Sequence, residues 1–141
     1  MKRRLAFLVA LVATSGVFAA FACASSPPYV GSWKAHLNSA QLLRRGDPDV
    51  RLAGEFRLVI AADGTYQTFN TATGAGSGTY TVSGHHIVFW HDQSCINGYF
   101  QGDYKGVYTW RVKNGKLRLT GTNDHCGSRW EVLTYPIWTR G

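Results

Sequence analysis

Charge is scarce in this chain: only 16% of its 141 residues are Asp, Glu, Lys or Arg. Long runs of Ala, Glu, Lys and Leu are missing as well, which argues against a helical bundle. The formal charge of +7 owes much to Lys2, Arg3 and Arg4. Without them twelve basic residues stand against eight acidic ones, a net +4. Those twelve are spread from Lys34 to Arg140 with no basic stripe, so a nucleic-acid partner is not expected. Catalytic signatures are absent too: there is no Gly-x-Ser-x-Gly and no His-Glu-x-x-His. A rim pair such as His91 with Asp124 is the one candidate for general acid–base work. The run Gly74-Ala-Gly-Ser-Gly78 has no lysine and no helical pattern after it, so it reads as a flexible loop rather than a phosphate loop.

What the chain does contain is glycine, at 16 residues, and aromatic side chains, at 13%. Its length suits one domain. Met1-Lys-Arg-Arg4 precedes an apolar run from Leu5 to Ala22, with small residues at 20, 22 and 24. That is the pattern of a secretory signal over residues 1–24. The competing reading is an uncleaved anchor, since the run is about long enough to span a bilayer. Three cysteines make an odd count, and Cys23 is the odd one. Either cleavage removes it, or it is the lipidated first residue of a lipoprotein whose signal ends at 22. In the second case Phe21 departs from the usual lipobox. Residues 25–30 then form a short linker and 31–141 the folded domain. Export is expected, whether secreted, periplasmic or lipid-anchored, with membrane contact only through the signal or the lipid. A disulfide persists in such compartments.

Alternating and turn-bounded segments fill the domain. Trp33 to His36 is a short strand, and Leu37 to Arg45 a helix with Ser39 as N-cap, an apolar face at Leu42 and Leu43, and Gly46 as its stop. Glu55 to Ile60 alternates, with Phe56, Leu58 and Ile60 on one face. Asp63-Gly64 turns into Thr65 to Phe69. Asn70 to Ser77 reads as loop, Thr79 to Val82 as strand, Ser83-Gly84 as a turn and His86 to Trp90 as strand. Gly106 to Trp110, the turn Asn114-Gly115 and Leu117 to Leu119 make a hairpin, and Arg129 to Thr134 is the last strand. Tight and long joins alternate, so the long loops share one rim. The predicted fold is all-β: an eight-stranded up-and-down antiparallel barrel with a short helix between strands one and two. Cys95 and Cys126 lie beyond the outer ends of the hairpin strands, on the open rim, and a Cys95–Cys126 disulfide is the economical reading.

Gly31-Ser32-Trp33, the meander and Arg140 near the end resemble the calycin superfamily. Gly78-Thr-Tyr80, Val82, Gly84, Cys95, Gly106-Val-Tyr-Thr-Trp110, Leu117-Arg-Leu119, Cys126 and Trp138-Thr-Arg140 are similar to a group of secreted bacterial lipocalin-like domains of unassigned function. The resemblance spans residues 29–141. It implies that Gly31, Trp33 and Arg140 close one end of the barrel, with Arg129 the less favoured basic partner. The Thr-Asp-Tyr motif of the vertebrate-type members is missing, and the domain is shorter than most lipocalins.

Phe56, Leu58, Tyr66, Tyr80, Val88, Trp90, Tyr108, Trp110, Leu119 and Trp130 would line the barrel. They would either receive a small hydrophobic or aromatic molecule or simply fill the lumen. His36, His91 and His125 map to the open rim near Asp92 and Asp124, but their spacing follows no metal or haem motif. No cofactor is expected, and the chain is read as a monomer. Non-catalytic ligand binding leads the functional reading. An envelope interaction or inhibitor protein using the mouth loops is the alternative, and a small barrel enzyme or a haem or metal protein the third.

Overall fold

Alternation of side chains along each strand puts one set inside and the other in water, and eight strands built this way close on themselves. The computed structural model describes residues 25–46, 50–71, 74–96 and 102–141. The expectations for the leader, for cleavage and for Cys23 lie outside the described residues. Among the described residues no helix is long and apolar enough to cross a membrane.

The strands are β1 (Gly31–Leu37), β2 (Gly54–Ile60), β3 (Thr65–Asn70), β4 (Gly74–Ser83), β5 (His86–Trp90), β6 (Gly106–Lys113), β7 (Lys116–Asn123) and β8 (Trp138–Arg140). Each pairs with its sequence neighbour, and β8 closes the ring against β1, with every pairing antiparallel. The protein is thus the all-β closed barrel its turn spacing predicts. Helix α1 (Ser39–Arg44) lies between β1 and β2, α2 (Gln93–Ile96) between β5 and β6, and α3 (Gly127–Thr134) between β7 and β8.

At the closed end Trp33 is fully buried and donates from Nε1 to the Tyr29 carbonyl at 2.9 Å. The Arg140 guanidinium lies 4.2 Å over the Trp33 ring and donates to the carbonyls of Val30 and Pro28, each at 2.8 Å. Gly31 permits this: a Cβ there would stand 2.0 Å from Arg140 Nη1. Residues 28–30, read as linker, therefore belong to the plug. The Tyr29 ring also packs on Trp110 at 4.8 Å.

Four local expectations are corrected by the fold. Asn38, not Ser39, caps α1, in a reciprocal capping box with Gln41. Leu42 is buried beneath that helix while Leu43 is 58% exposed. The glycine-rich run is strand, since β4 pairs with β3 as far as Asn70↔Gly74. Gly78 is there for space: a Cβ on it would come within 2.6 Å of the Trp90 carbonyl oxygen and 2.9 Å of the Tyr66 ring. In β5 the buried positions are Ile87 and Phe89, and Val88 and Trp90 take the other face. All four residues are apolar, so hydropathy carries no phase; the pairs Tyr80↔Phe89 and Val82↔Ile87 set it.

The last correction is the largest. Arg129 to Thr134 is helix, and the eighth strand is Trp138–Arg140. Arg129 and Leu133, four residues apart, both turn inward on one helical face. Tertiary contacts override the β preference of Val132 and Thr134 here. The Trp130 ring lies against Gly121 of β7, and Trp138 Nε1 donates to the Leu133 carbonyl at 3.3 Å.

Candidate functional site

Two aspartates precede the two cysteines, and the structure turns both into the mouth of the barrel. Asp92 anchors the start of α2, accepting hydrogen bonds from Ser94 N at 2.9 Å and Ser94 Oγ at 2.6 Å. Asp124 does the same ahead of α3, accepting from Cys126 N at 2.8 Å. The Cys95–Cys126 disulfide joins these two short helices, with its Cα atoms 5.7 Å apart.

Beneath the disulfide lies a buried polar cluster. Tyr66 donates its hydroxyl to Asp92, and Tyr108 donates to Asp124. Arg129 grips Asp124 in a two-pronged contact, Nε to Oδ2 at 2.7 Å and Nη2 to Oδ1 at 2.8 Å. Nη2 also reaches the Tyr104 carbonyl at 2.6 Å. Arg129 is only 3% exposed. Its remaining nitrogen, Nη1, has no hydrogen-bond partner among the described residues. Arg129 with Asp92, Ser94, Ser128 and Thr68 borders a recess of about 40 Å³, water-sized rather than ligand-sized.

Burial pushes the Tyr66 hydroxyl well above its ordinary pKa of 10.0, and the charge of Asp92 and the hydrogen bond to it add to the rise. Tyr108 is raised likewise, by burial and then by its hydrogen bond to Asp124. Burial works against the charge on Arg129, but the bonds to Asp124 and the fields of Tyr66, Asp124 and Tyr108 outweigh it, so the guanidinium stays charged. A phenol whose folded pKa is raised lends stability that is whole below pH 10 and lost as the pH climbs beyond it. The expected alkaline titration therefore has two phases. Exposed tyrosines ionise first, while Tyr66 and Tyr108 ionise only as near-ultraviolet circular dichroism collapses. Tyrosinate absorbance rising for every tyrosine near pH 10 with the fold intact would contradict this assignment.

Of the side chains read as lining the barrel, Phe56, Leu58, Tyr66, Tyr80, Tyr108 and Leu119 are buried inside it. Trp110 takes an inward position at the closed end, half-buried, with Nε1 on the Gly84 carbonyl at 3.1 Å. Val88 and Trp90 lie outside the lumen, where Lys105 Nζ stands 5.5 Å over the Trp90 ring. Trp130 rides on α3 instead of a strand, 6.2 Å from Tyr108. Ring contacts stack the interior: Tyr66–Phe89 at 4.7 Å, Phe89–Tyr108 at 5.5 Å and Phe56–Trp138 at 6.2 Å. Leu42, Leu52 and Leu133 continue the same core at the rim. The lumen is occupied by its own side chains.

The rim histidines do not converge. His36 Nδ1 meets Glu55 at 2.8 Å, His91 Nδ1 meets Asp103 at 2.7 Å, and His125 faces the Tyr104 ring at 6.0 Å. The pair of His91 with Asp124 is not formed, because Asp124 is committed to Arg129 and Tyr108. Among the described residues no three His, Cys, Asp or Glu side chains group to hold a metal ion. Arg129 is not a partner of Trp33 either; it serves the mouth.

Outside the barrel, a groove of about 880 Å³ runs over β2, β3 and β4. Its floor holds Val59 and Phe69, 37% and 47% exposed. Cross-strand register explains the arrangement: Lys34, Arg57, Phe69 and Ala75 are consecutive partners across β1 to β4, and Val59, Gln67 and Ser77 form the next row. Lys34 and Arg57 thus stand at one edge of an apolar floor, together with Glu55, whose carboxylate is paired to His36. Sequence reasoning missed this groove because it asked only which residues point inward. A Phe on the polar face of an alternating strand was the available signal. A scan against protein-family models finds no match to this chain, and neither do searches of the curated proteins and of the solved structures.

Proposed function

We propose that this protein is a non-catalytic, lipocalin-like binding barrel whose ligand is an amphiphile held in the external groove, not in the lumen. One observation carries the reading: the lumen is packed with aromatic rings, while a ligand-sized recess with an exposed apolar floor lies on the outer face of β2–β4. Val59 and Phe69 suit an aliphatic or aromatic body, and Lys34 with Arg57 suits an anionic head. The Gly31, Trp33 and Arg140 plug supports the calycin-like part of the proposal.

Dansyl-labelled undecanoic acid tests it directly. Fluorescence enhancement is expected with the wild type, and Phe69→Glu should weaken binding about tenfold, the effect of roughly 1.4 kcal/mol. Arg57→Ala should weaken it several-fold and lower its salt dependence. Equal affinity in all three proteins, with thermal melts unchanged, would reject the groove.

A second reading draws on the rim. Leu43, Val50 and Tyr104 are exposed at 58%, 44% and 37%, all in the joins of the open end. That favours a protein partner meeting the mouth loops above a filled barrel, as an envelope component or inhibitor would. Binding of such a partner lost on Leu43→Asp, with dansyl binding untouched, would support it over the groove.

A further inference from the structure

Six of the twelve basic residues that look scattered along the chain come together on the barrel. Arg111 and Lys113 of β6 face outward and exposed, as do Lys116 and Arg118 of β7. Register sets them opposite one another as Arg111↔Arg118 and Lys113↔Lys116. From there Lys116 pairs with Thr139, Thr139 with Lys34, and Lys34 with Arg57. Six exposed cations therefore follow five adjacent strands, β6-β7-β8-β1-β2. Glu55, occupied by His36, is the only carboxylate on those strands. Among the described residues none of the six forms an ion pair.

Two like-charged cross-strand pairs in succession are unfavourable, since directly opposed side chains stand only about 4.5–5.5 Å apart at Cβ. The repulsion is relieved when anionic groups lie between them. Along β6 and along β7 the two cations stand about 6.8 Å apart, twice the strand rise, so every second phosphate of an extended P–O–P chain can meet one. Recesses of about 450 Å³ and about 360 Å³ flank the Arg111–Arg118 pair, the first with Thr109 and Thr120 and the second with Asn114 and Ile137.

We infer that this face binds a flexible linear polymer of phosphate groups without bases. Curvature decides against a membrane: the cations continue around more than half the ring, where a flat surface reaches one side only. Missing stacking decides against single-stranded nucleic acid, which is held by bases lying on free aromatic faces. The rings beside the arginine pair are His85 and Trp110, which pack against each other at 5.3 Å, and Trp110 also meets Tyr29 at 4.8 Å. This surface shares Lys34 and Arg57 with the groove, but Arg111, Lys113, Lys116 and Arg118 lie outside it, so changes at those four test the surface separately from the groove.

Fluorescein-labelled inorganic polyphosphate is the probe, read by anisotropy on the full chain. Binding is expected at about 50 mM salt and about fifty-fold weaker at about 200 mM, as neutralising about four phosphates of a single chain requires. The variant Arg111→Gln, Lys113→Gln, Lys116→Gln, Arg118→Gln should lose binding by at least as much while melting at or above the wild-type temperature, because the repulsion is gone. Phe69→Ala, which leaves every charge in place, should bind polyphosphate as the wild type does. The inference is overturned by any of three results: no binding at low salt, undiminished binding by the four-glutamine variant, or tighter binding to anionic vesicles or oligothymidylate at equal anion concentration.

Discussion

Arg129→Met is expected to cost about 3–5 kcal/mol of unfolding free energy, the usual loss when one member of a buried ion pair is removed. The side chains of Arg129 and Asp124 are 1% and 0% exposed, so the carboxylate left behind has little access to water. Tyr108 would still donate to it, but the two guanidinium bonds and the bond to the Tyr104 carbonyl would all be lost. Urea denaturation monitored by tryptophan fluorescence measures the loss, and a drop below about 1 kcal/mol would mean that the pair is hydrated. The double variant Arg129→Met, Asp124→Leu should recover part of the stability, since an apolar pair carries no desolvation penalty. Recovery separates a buried charge from a simple loss of packing.

Removing the disulfide is the second large effect. The bridge closes a loop with a sequence separation of 31. On a chain-entropy account that is worth about 3–4 kcal/mol. Cys95→Ala with Cys126→Ala should lower the denaturation midpoint accordingly, and the same shift should follow when the wild type is melted with reductant. The loss should also show locally. The bridge ties α2 to α3, the elements that hold Asp92 and Arg129, so amide exchange should rise first at 92–96 and 124–130. Uniform exchange over the whole barrel would assign the disulfide a purely global role. Against a typical total of about 5–15 kcal/mol, either change consumes a large share of the stability.

The barrel was legible because its signals are local. Asp63-Gly64, Ser83-Gly84 and Asn114-Gly115 are turns that only a few residue types make well, and the runs between them alternate. Where a signal was not local, reading failed. The glycines of β4 look like loop by composition, yet β4 pairs with β3 and β5 along its length, and at Gly78 the Tyr66 ring and the Trp90 carbonyl leave no space for a Cβ. Four apolar residues in β5 hide their phase. Helix α3 looks like strand until Arg129 and Leu133 are seen to share a buried face. The site was legible only in pieces: both tyrosines and both cysteines were singled out, while Asp92, Asp124 and Arg129 were named for other roles and not as the groups that bind them into one cluster. Burying a charge is a decision of the surroundings, and nothing in Asp124 or Arg129 taken singly announces it.

The sequence alone determined the class of fold and the hairpin turns and made Cys95–Cys126 the economical disulfide, since each rests on residues whose geometry or chemistry admits few alternatives; the Gly31, Trp33 and Arg140 plug was what the calycin resemblance implied. Only the tertiary structure decided that the lumen is filled, that the recess lies outside, and that six dispersed cations form one face. Those properties depend on register across strands far apart in sequence. A register step moves every side chain to the opposite face, so hydropathy along one strand cannot say what stands beside it on the next.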